Sequence, residues 1–125
     1  MSGFTFDAGG LIALDRNDRR VIALLERARV KGMRVTIPAT ALAQVMRNPA
    51  RQPRLSRLIR DATTDLVALD GRGATEVGRL LAHTRTSDIV DAHVVVCARH
   101  AGQPVVTSDA GDLQRLADDL RLIAI

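Results

Sequence analysis

Residues 89–109 read IVDAHVVVCARHAGQPVVTSD, and this stretch decides the fold class predicted for the chain. Apolar residues recur at helical spacing from Ile89 to Ala101, Gly102 marks a loop, and Pro104 to Thr107 has the composition of a short strand. An acid, Asp109, follows that strand closely. A helix that leads through a short loop into an apolar strand is typical of a parallel α/β sheet.

The rest of the chain repeats this alternation. Four further strands are predicted at Gly3 to Phe6, Arg34 to Ile37, Leu66 to Leu69 and Arg121 to Ala124. Six further helices are predicted at Leu11 to Leu14, Arg19 to Lys31, Ala39 to Met46, Pro53 to Ile59, Arg72 to Ala82 and Asp112 to Ala117. The pattern therefore predicts one α/β domain over residues 1–125, with a short, mainly parallel sheet of about five strands flanked by helices on both faces.

Composition limits the class of protein. The chain has 125 residues, 46% of them hydrophobic, which is enough for one core without cross-links. Cys97 is the only cysteine, so no internal disulfide is expected, and the first residues lack the pattern of a secretory signal. No apolar run approaches the length of a membrane span. We therefore expect a cytoplasmic protein with no membrane-spanning segment.

The chain is moderately basic, with 18 Lys and Arg against 14 Asp and Glu and a net charge of +4. All but one of the 18 are arginines, and the guanidinium fork suits phosphate oxygens, so a polyanion such as RNA is a candidate partner. A GC-biased genome would produce the same composition, and this interpretation stays open. Since Phe4 and Phe6 are the only aromatic residues, base stacking is excluded as the main mode of RNA binding.

Acidic residues follow the predicted strands at the sheet edge where parallel α/β proteins bind ligands. Asp7 comes directly after the first strand, and Asp109 lies two positions beyond Thr107, the last residue of the fourth. Asp88 and Asp91 are three residues apart at the start of a helix and therefore share one face of it. If that helix packs beside these strands, four carboxylates converge.

Converging carboxylates raise one another's pKa, and a divalent cation with oxygen ligands is the usual remedy. Such ligands suit Mg²⁺ or Mn²⁺, whereas His83, His93 and His100 lack the spacing of a zinc site. A protein-bound Mg²⁺ activates water and stabilises charge on a phosphate oxygen. The acids therefore predict phosphodiester hydrolysis.

A structural interpretation of the same acids stays open. Asp88 with Asp91, and Asp109 with Asp112, have the three-residue separation of a helix N-cap and its N3 residue. Asp7 also fits an N-cap, although its place directly after a short apolar strand favours a functional role.

Four segments, in this order and spacing, carry a family resemblance: Phe6-Asp7-Ala8-Gly9, Pro38-Ala39-Thr40-Ala41-Leu42-Ala43-Gln44-Val45, Asp91-Ala92-His93-Val94, and Val105-Val106-Thr107-Ser108-Asp109 with Asp112-Leu113. Together they resemble the PIN-domain family, and more narrowly its VapC-type toxins of bacterial toxin–antitoxin pairs. This resemblance spans almost the full chain. It implies a Rossmann-like sheet, Mg²⁺- or Mn²⁺-dependent endoribonuclease activity on structured RNA such as tRNA or rRNA, a homodimer, and a cognate antitoxin as partner.

The resemblance also assigns roles by position. It implies that Asp7, Asp91 and Asp109 are catalytic and hold the metal. The hydroxyls of Thr107 and Ser108 flank the last of these acids and are the implied RNA contacts.

The second acidic position departs from the family pattern, because Gln44 stands where a glutamate is common. Gln44 can ligate through its carbonyl oxygen or orient a metal-bound water, but it supplies no negative charge. Asp88 lies one helical turn before Asp91, and Asp112 one turn after Asp109. We predict that at least one of them, Asp88 or Asp112, replaces the missing charge in the metal site.

A run of arginines offers a second surface. The members recur every three or four residues and predict a basic ridge on one helical face, interrupted by Pro49 and Pro53: Arg47, Arg51, Arg54, Arg57 and Arg60. Within the ridge, Arg54 and Arg57 are the candidate RNA-backbone contacts. An ordinary solvated face on an amphipathic helix is the alternative.

Three other features have modest expectations. His93 lies two residues after Asp91 and points away from its face, which favours a packed histidine over a general base. Cys97 has the apolar neighbours of an inert buried thiol. Gly9 and Gly10 serve either a close backbone approach near Asp7 or only a tight exit from the strand.

Two other functions compete with the nuclease. In the first, the protein keeps the fold and binds RNA or an antitoxin, but it cleaves RNA weakly or not at all because Gln44 replaces the usual glutamate. The second makes Asp7 or Asp109 a phosphoryl acceptor. It is disfavoured because receiver-type domains need a lysine at the end of a late strand, and Lys31, the only lysine, ends an early helix.

Overall fold

A computed structural model describes residues 3–125, and within them the strands form one sheet. The strands are β1 (Gly3–Phe6), β2 (Arg34–Pro38), β3 (Thr64–Val67), β4 (Val105–Thr107) and β5 (Leu122–Ala124). Their order across the sheet is β3-β2-β1-β4-β5, and every pairing is parallel. The strand order therefore reverses between β1 and β4, which is where open α/β sheets form a crevice for ligands.

Helices cover both faces of the sheet. They are α1 (Ala8–Asp15), α2 (Arg19–Val30), α3 (Ala39–Val45), α4 (Pro53–Arg60), α5 (Gly71–Thr84), α6 (Ile89–Ala101) and α7 (Ala110–Leu116), with a 3-10 turn at Pro49–Arg51. Neighbouring residues of a strand face opposite sides. Val35 of β2 lines a groove with α1, α2 and α4, whereas Thr36 lines a cavity with α5 and α6. In the part of the chain described, no helix is both long and apolar enough to cross a membrane.

The core lies on the three interior strands, β2, β1 and β4, and the helices packed against them. Its largest fully buried apolar side chains are those of Phe6, Leu11, Ile37, Leu55, Leu113, Val21, Val94, Val95, Val105 and Val106. Burial of each such side chain contributes about 1.5–3 kcal/mol. Because β1 and β4 run through the middle of this core, the residues that follow these two strands are held rigidly at the carboxyl edge of the sheet.

The predicted α/β fold with a five-stranded sheet is confirmed, and the sheet is wholly parallel rather than mainly so. The prediction for β3 was two residues too late, because the Asp61 carboxylate accepts hydrogen bonds from the N–H and hydroxyl of Thr63 and turns the chain into the strand at Thr64. The Arg34–Asp65 ion pair at 2.7 Å then fixes β3 beside β2.

Two helices also begin two or more residues earlier than predicted. α1 starts at Ala8 rather than Leu11, since Gly9 and Gly10, which are poor helix formers, are tolerated in its first turn. α7 starts at Ala110 rather than Asp112, because Asp109 is its N-cap.

Candidate active site

Asp7 stands at the junction of β1 and α1, at the reversal of strand order. Its backbone N–H donates to the Val106 carbonyl across the sheet at 3.3 Å, and its side chain caps α1 by accepting from the Gly10 N–H at 2.7 Å. The residue is 5% exposed. Burial raises the pKa of this carboxyl above its usual range, with a further rise from the charge of Asp109, although hydrogen bonds from Thr107, Gly10 and Gly9 oppose it.

Gly9 and Gly10 allow α1 to begin in contact with β4. A Cβ at Gly10 would lie 2.7 Å from the Val106 carbonyl oxygen, and one at Gly9 would lie 2.2 Å from Ser108 Oγ. The structure thus shows the close backbone approach, the first of the two readings of this pair. It sets the carboxylate of Asp7 directly beside the end of β4.

Thr107 connects the acids that follow β1 and β4. Its side chain is fully buried, its Oγ1 accepts from the Asp109 N–H at 2.9 Å, and its hydroxyl also hydrogen-bonds to the carboxylate of Asp7. The sequence predicted only an RNA contact here, and nothing in its pattern signalled this positioning role. Ser108, the next residue, is exposed beside Gly9.

Asp91 shows that the acids converge. It lies in the first turn of α6 and is partly buried. Burial, and then the charges of Asp88, Asp7, Asp112 and Asp109, raise its pKa to about 6. The charges of the other four aspartates that the sequence singled out thus all act on Asp91, while their roles as ligands stay predictions.

Three of these aspartates also cap helices, so the structural interpretation holds geometrically. Besides Asp7 on α1, Asp88 accepts from the Asp91 N–H at 2.9 Å, and Asp109 accepts from the Asp112 N–H at 3.3 Å. Each of these three bonds involves one carboxylate oxygen, Oδ1. Capping and cation binding are thus compatible in the same residue.

Positive charge is scarce around the cluster. Within residues 3–125, no Arg, Lys or His forms an ion pair with Asp7, Asp88, Asp91 or Asp109. Asp112 differs, because its Oδ1 accepts from the Arg115 guanidinium at 2.7 Å. The three-residue spacing of that pair in a helix was the signal that sequence reasoning missed.

The donor chemistry of the cluster fits a hard divalent cation. Carboxylate oxygens are the ligands that Mg²⁺ and Mn²⁺ prefer, and within residues 3–125 no ion pair neutralises Asp7, Asp88, Asp91 or Asp109. Burial first, and neighbouring acids second, raise the pKa values of Asp7 and Asp91. Among residues 3–125, however, no three Asp, Glu, His or Cys side chains stand in the arrangement of a formed metal site. Like charges repel, so we expect the carboxylates to close only around a cation.

The remaining candidates form no bond to these acids in the part of the chain that the structure describes. Gln44 is exposed on α3, which begins at the carboxyl end of β2, and its side chain forms no hydrogen bond to the aspartates within residues 3–125. Arg54 and Arg57 line the groove of about 430 Å³ on the α2 and α4 side, together with Val35 near the amino end of β2. That position is remote from the carboxyl edge, so any RNA contact by these two arginines would lie outside the acidic cluster.

The structure contains only part of the predicted ridge of arginines: Arg54, Arg57 and Arg60 share α4 at three-residue spacing, but Arg47 and Arg51 lie outside that helix. The 3-10 turn at Pro49–Arg51 breaks the helix, and the Arg47 guanidinium donates to the carbonyls of Ala43 and Met46 at the end of α3. The prolines therefore divide the arginines among three separate segments, as their fixed φ angles require.

His93 and Cys97 are packed, as the sequence predicted. His93 is 1% exposed, and its Nδ1 hydrogen-bonds to Thr40 Oγ1 at 2.6 Å. Burial lowers the pKa of His93, an effect that the charge of Asp70 opposes. Burial raises the pKa of the Cys97 thiol to about 11, which makes the thiolate scarce at neutral pH.

The raised pKa of Asp91 predicts a specific pH dependence of stability. Because the folded-state pKa of about 6 exceeds the ordinary value of 3.8, folding favours the protonated form, and this stabilisation is lost as the pH rises through about 6. In metal-free protein, we expect Asp91→Asn to gain melting temperature relative to wild type between pH 5 and pH 7. Saturating Mg²⁺ should shrink that difference. If the difference in melting temperature between the two proteins changed neither with pH nor with Mg²⁺, the clustering of acids around Asp91 would be contradicted.

The fold and the edge just described define a Rossmann-like α/β domain with an anionic site at its switch point. A family model for the PIN domain matches residues 6–119. The chain therefore belongs to the PIN-domain family, and the family predicted from the four segments is confirmed. Membership of this family supports a nuclease, and hence a hydrolase.

Solved structures share the fold at low sequence identity. A chain of the VapBC2 complex from Rickettsia felis, bound to a DNA fragment from their promoter, has a TM-score of 0.70 at 14% identity, with 98% of each chain covered. DNA-bound VapBC from Salmonella typhimurium gives 0.68 at 18% identity, covering 99% of this chain and 98% of that one. A chain of FitAcB from Neisseria gonorrhoeae has a TM-score of 0.66 at 14% identity, with 96% of each chain covered. Curated proteins include no significant sequence match.

Proposed function

We propose that this PIN domain is a Mg²⁺- or Mn²⁺-dependent endoribonuclease and the toxin of a toxin–antitoxin pair. The observation that carries the proposal is the set of uncompensated aspartates around Asp91, at the edge where β1 and β4 end. An anionic cluster of this kind repels a bare phosphodiester, so it needs a cation before it can act on RNA. The fold and the family independently support a nuclease.

Asp7, Asp91 and Asp109 are the residues that would hold the cation, with Asp88 beside them. When bound, the cation would supply an activated water and stabilise negative charge on the phosphate. Asp7 is buried and held by Gly10 and Thr107, so its position is fixed before any ligand arrives. Asp91, with a pKa of about 6, can take up or release a proton near neutral pH.

The toxin part of the proposal rests on the structural neighbours. Their names describe VapBC and FitAcB complexes, which supports a small antitoxin protein as the partner of this chain. We further propose a homodimer that acts in the cytoplasm on structured RNA of the tRNA or rRNA class. Co-purification of one stoichiometric small protein that suppresses cleavage would support this part, and full activity in its presence would contradict it.

Cleavage of total bacterial RNA by the purified, antitoxin-free protein tests the nuclease proposal. Reactions with Mg²⁺, with Mn²⁺ and with excess chelator should give discrete fragments only when metal is present. Equal cleavage in chelator would contradict metal dependence. Intact RNA bound to folded protein would instead favour the second candidate, a binding module in which Gln44 has weakened the metal site. In that case Gln44→Glu is expected to restore cleavage markedly.

The structure favours Asp88 over Asp112 as the replacement for the missing glutamate. Asp112 is already paired with Arg115, whereas Asp88 has no ion pair among the described residues, and of the four neighbouring acids its charge raises the pKa of Asp91 most. Asp88→Asn keeps the helix cap but removes the charge. We expect Asp88→Asn to weaken Mn²⁺ binding about tenfold, which corresponds to the loss of one charge-assisted contact. Asp112→Asn should weaken Mn²⁺ binding much less. Titration calorimetry measures both, and equal effects of the two variants would refute this preference.

A further inference from the structure

Helix α3 depends on other segments of the chain for its position. It begins directly after β2, at the carboxyl edge of the sheet, and packs against α1 and α6, which cover opposite faces. It has seven residues, and its N-cap residue, Pro38, has no side-chain acceptor to cap it. A helix this short is not stable in isolation. Contacts with its neighbours therefore determine where α3 lies.

Side chains from other elements hold both ends of α3. At its start, Thr40 Oγ1 hydrogen-bonds to Nδ1 of His93, which belongs to α6, at 2.6 Å. At its end, the Val45 carbonyl accepts from Gln52 Nε2 at 3.1 Å. The same nitrogen donates at 3.3 Å to the carboxylate of Asp15, the last residue of α1. Helix α3 therefore runs along the carboxyl edge from the α6 side toward the α1 side.

The bond between Thr40 and His93 is a fixed link between two helices. His93 is 1% exposed and Thr40 is partly buried, so water has little access to the bond. Burial also keeps the pKa of His93 below its usual value, which leaves the ring neutral at pH 7 with one nitrogen free to accept a hydrogen bond. Breaking the bond would leave a buried polar atom unpaired, which is costly.

The link joins the two segments that contain Gln44 and Asp91. Gln44 lies four residues after Thr40 and therefore on the same side of α3, opposite the buried residues Ala41 and Val45. This is the side from which Thr40 bonds to α6. On α6, His93 follows Asp91 by two residues. The exposed side chain of Gln44 thus stands on the side of α3 that is turned to α6.

We propose that Thr40 and His93 are a positioning pair, whose hydrogen bond holds α3 so that Gln44 borders the acidic cluster around Asp91. Neither residue would touch the cation or the RNA, because both act through Gln44. The inference rests on the proposed function only in treating this cluster as a cation site. The placement of Gln44 beside the acids can be tested without any metal.

Gln44→Glu reports this placement in metal-free protein, because a new carboxylate beside Asp91 is repelled. We expect this substitution to lower the melting temperature in excess chelator by about 4 °C. In a Thr40→Val background, where α3 has lost its link to α6, the decrease should be less than half as large. Thr40→Ser keeps the hydroxyl and should retain the full decrease, as should Thr75→Val, which removes a hydroxyl bonded to the Gly71 carbonyl within α5.

Calorimetric titration of Mn²⁺ into the same proteins tests the consequence for the site. Gln44→Glu should strengthen binding about tenfold, the value of one charge-assisted contact, and about twofold or less in the Thr40→Val background. Thr40→Ala replaces Thr40→Val if the valine variant does not fold.

Two results in chelator would overturn the positioning pair. One is an equal effect of Gln44→Glu with and without the Thr40 hydroxyl, and the other is no effect of Gln44→Glu in the otherwise unchanged protein. Absence of Mn²⁺ binding in every variant would instead contradict the proposed function, and the melting temperatures in chelator would still decide whether Thr40 and His93 position Gln44.

Discussion

Replacing Asp7 by asparagine is expected to lower metal-dependent RNA cleavage by about 100-fold or more, without loss of stability. The large effect follows because Asp7 is the buried acid at the strand reversal and would be a direct cation ligand. Asparagine has nearly the same shape and keeps an oxygen that accepts from Gly10, so the cap on α1 is retained. Only the charge is removed.

Stability separates this prediction from simple misfolding. The raised pKa of Asp7 means that its ionised form is disfavoured in the folded protein, so Asp7→Asn should leave the free energy of unfolding unchanged or increase it at pH 7. Asp118→Asn is the control for removing one acid elsewhere. Cleavage assays and urea unfolding on the same preparations test both statements. An Asp7→Asn protein that still cleaves at wild-type rate would remove this residue from the site.

Gly10→Ala is expected to destabilise the protein by about 1–3 kcal/mol, a large effect for a single added methyl group. The new Cβ would meet the Val106 carbonyl oxygen at 2.7 Å, and this backbone atom belongs to a buried central strand that cannot yield. The first turn of α1 must therefore move away from β4. Because that turn positions the Asp7 carboxylate, the affinity for Mn²⁺ should fall as well.

Gly78→Ala is the matched control on another helix. Gly78 lies within α5, and a Cβ there would have nothing within 4 Å. Alanine is the better helix former, so this change should stabilise the protein by about 0.5–1 kcal/mol. Chemical denaturation of both variants measures the contrast. If both substitutions changed stability in the same direction, close packing of α1 against β4 would not explain why glycine stands at position 10.

Much of the site could be predicted because its signals are local. A parallel sheet brings the carboxyl ends of its strands to one edge, so the acids that follow β1 and β4 were expected there. Asp88 and Asp91 were expected on one face of a helix because they are three residues apart. Features that depend on tertiary contacts could not be read in this way. The Gly9–Gly10 pair looked unfavourable for a helix, yet the approach of β4 requires it.

Charge partners show the same division between local and long-range information. The Asp112–Arg115 pair has a helical spacing and was readable in principle, whereas the Thr107 hydroxyl links Asp7 to Asp109 across two strands. Likewise, the cavity that contains Thr36 and His93 forms between segments far apart in sequence. Hydrophobic periodicity determines which elements form, but the shape left between them depends on packing.

Calorimetric titration of Mn²⁺ into the metal-free protein at pH 7.5 tests the central claim most directly, since it examines the site without requiring the right RNA. We expect saturable binding that is strongly weakened in Asp7→Asn and in Asp91→Asn. Binding should also weaken at pH 5, where Asp91 holds its proton. Absence of saturable binding to the folded protein, or binding that neither substitution alters, would contradict the assignment of a cation site to this edge of the sheet.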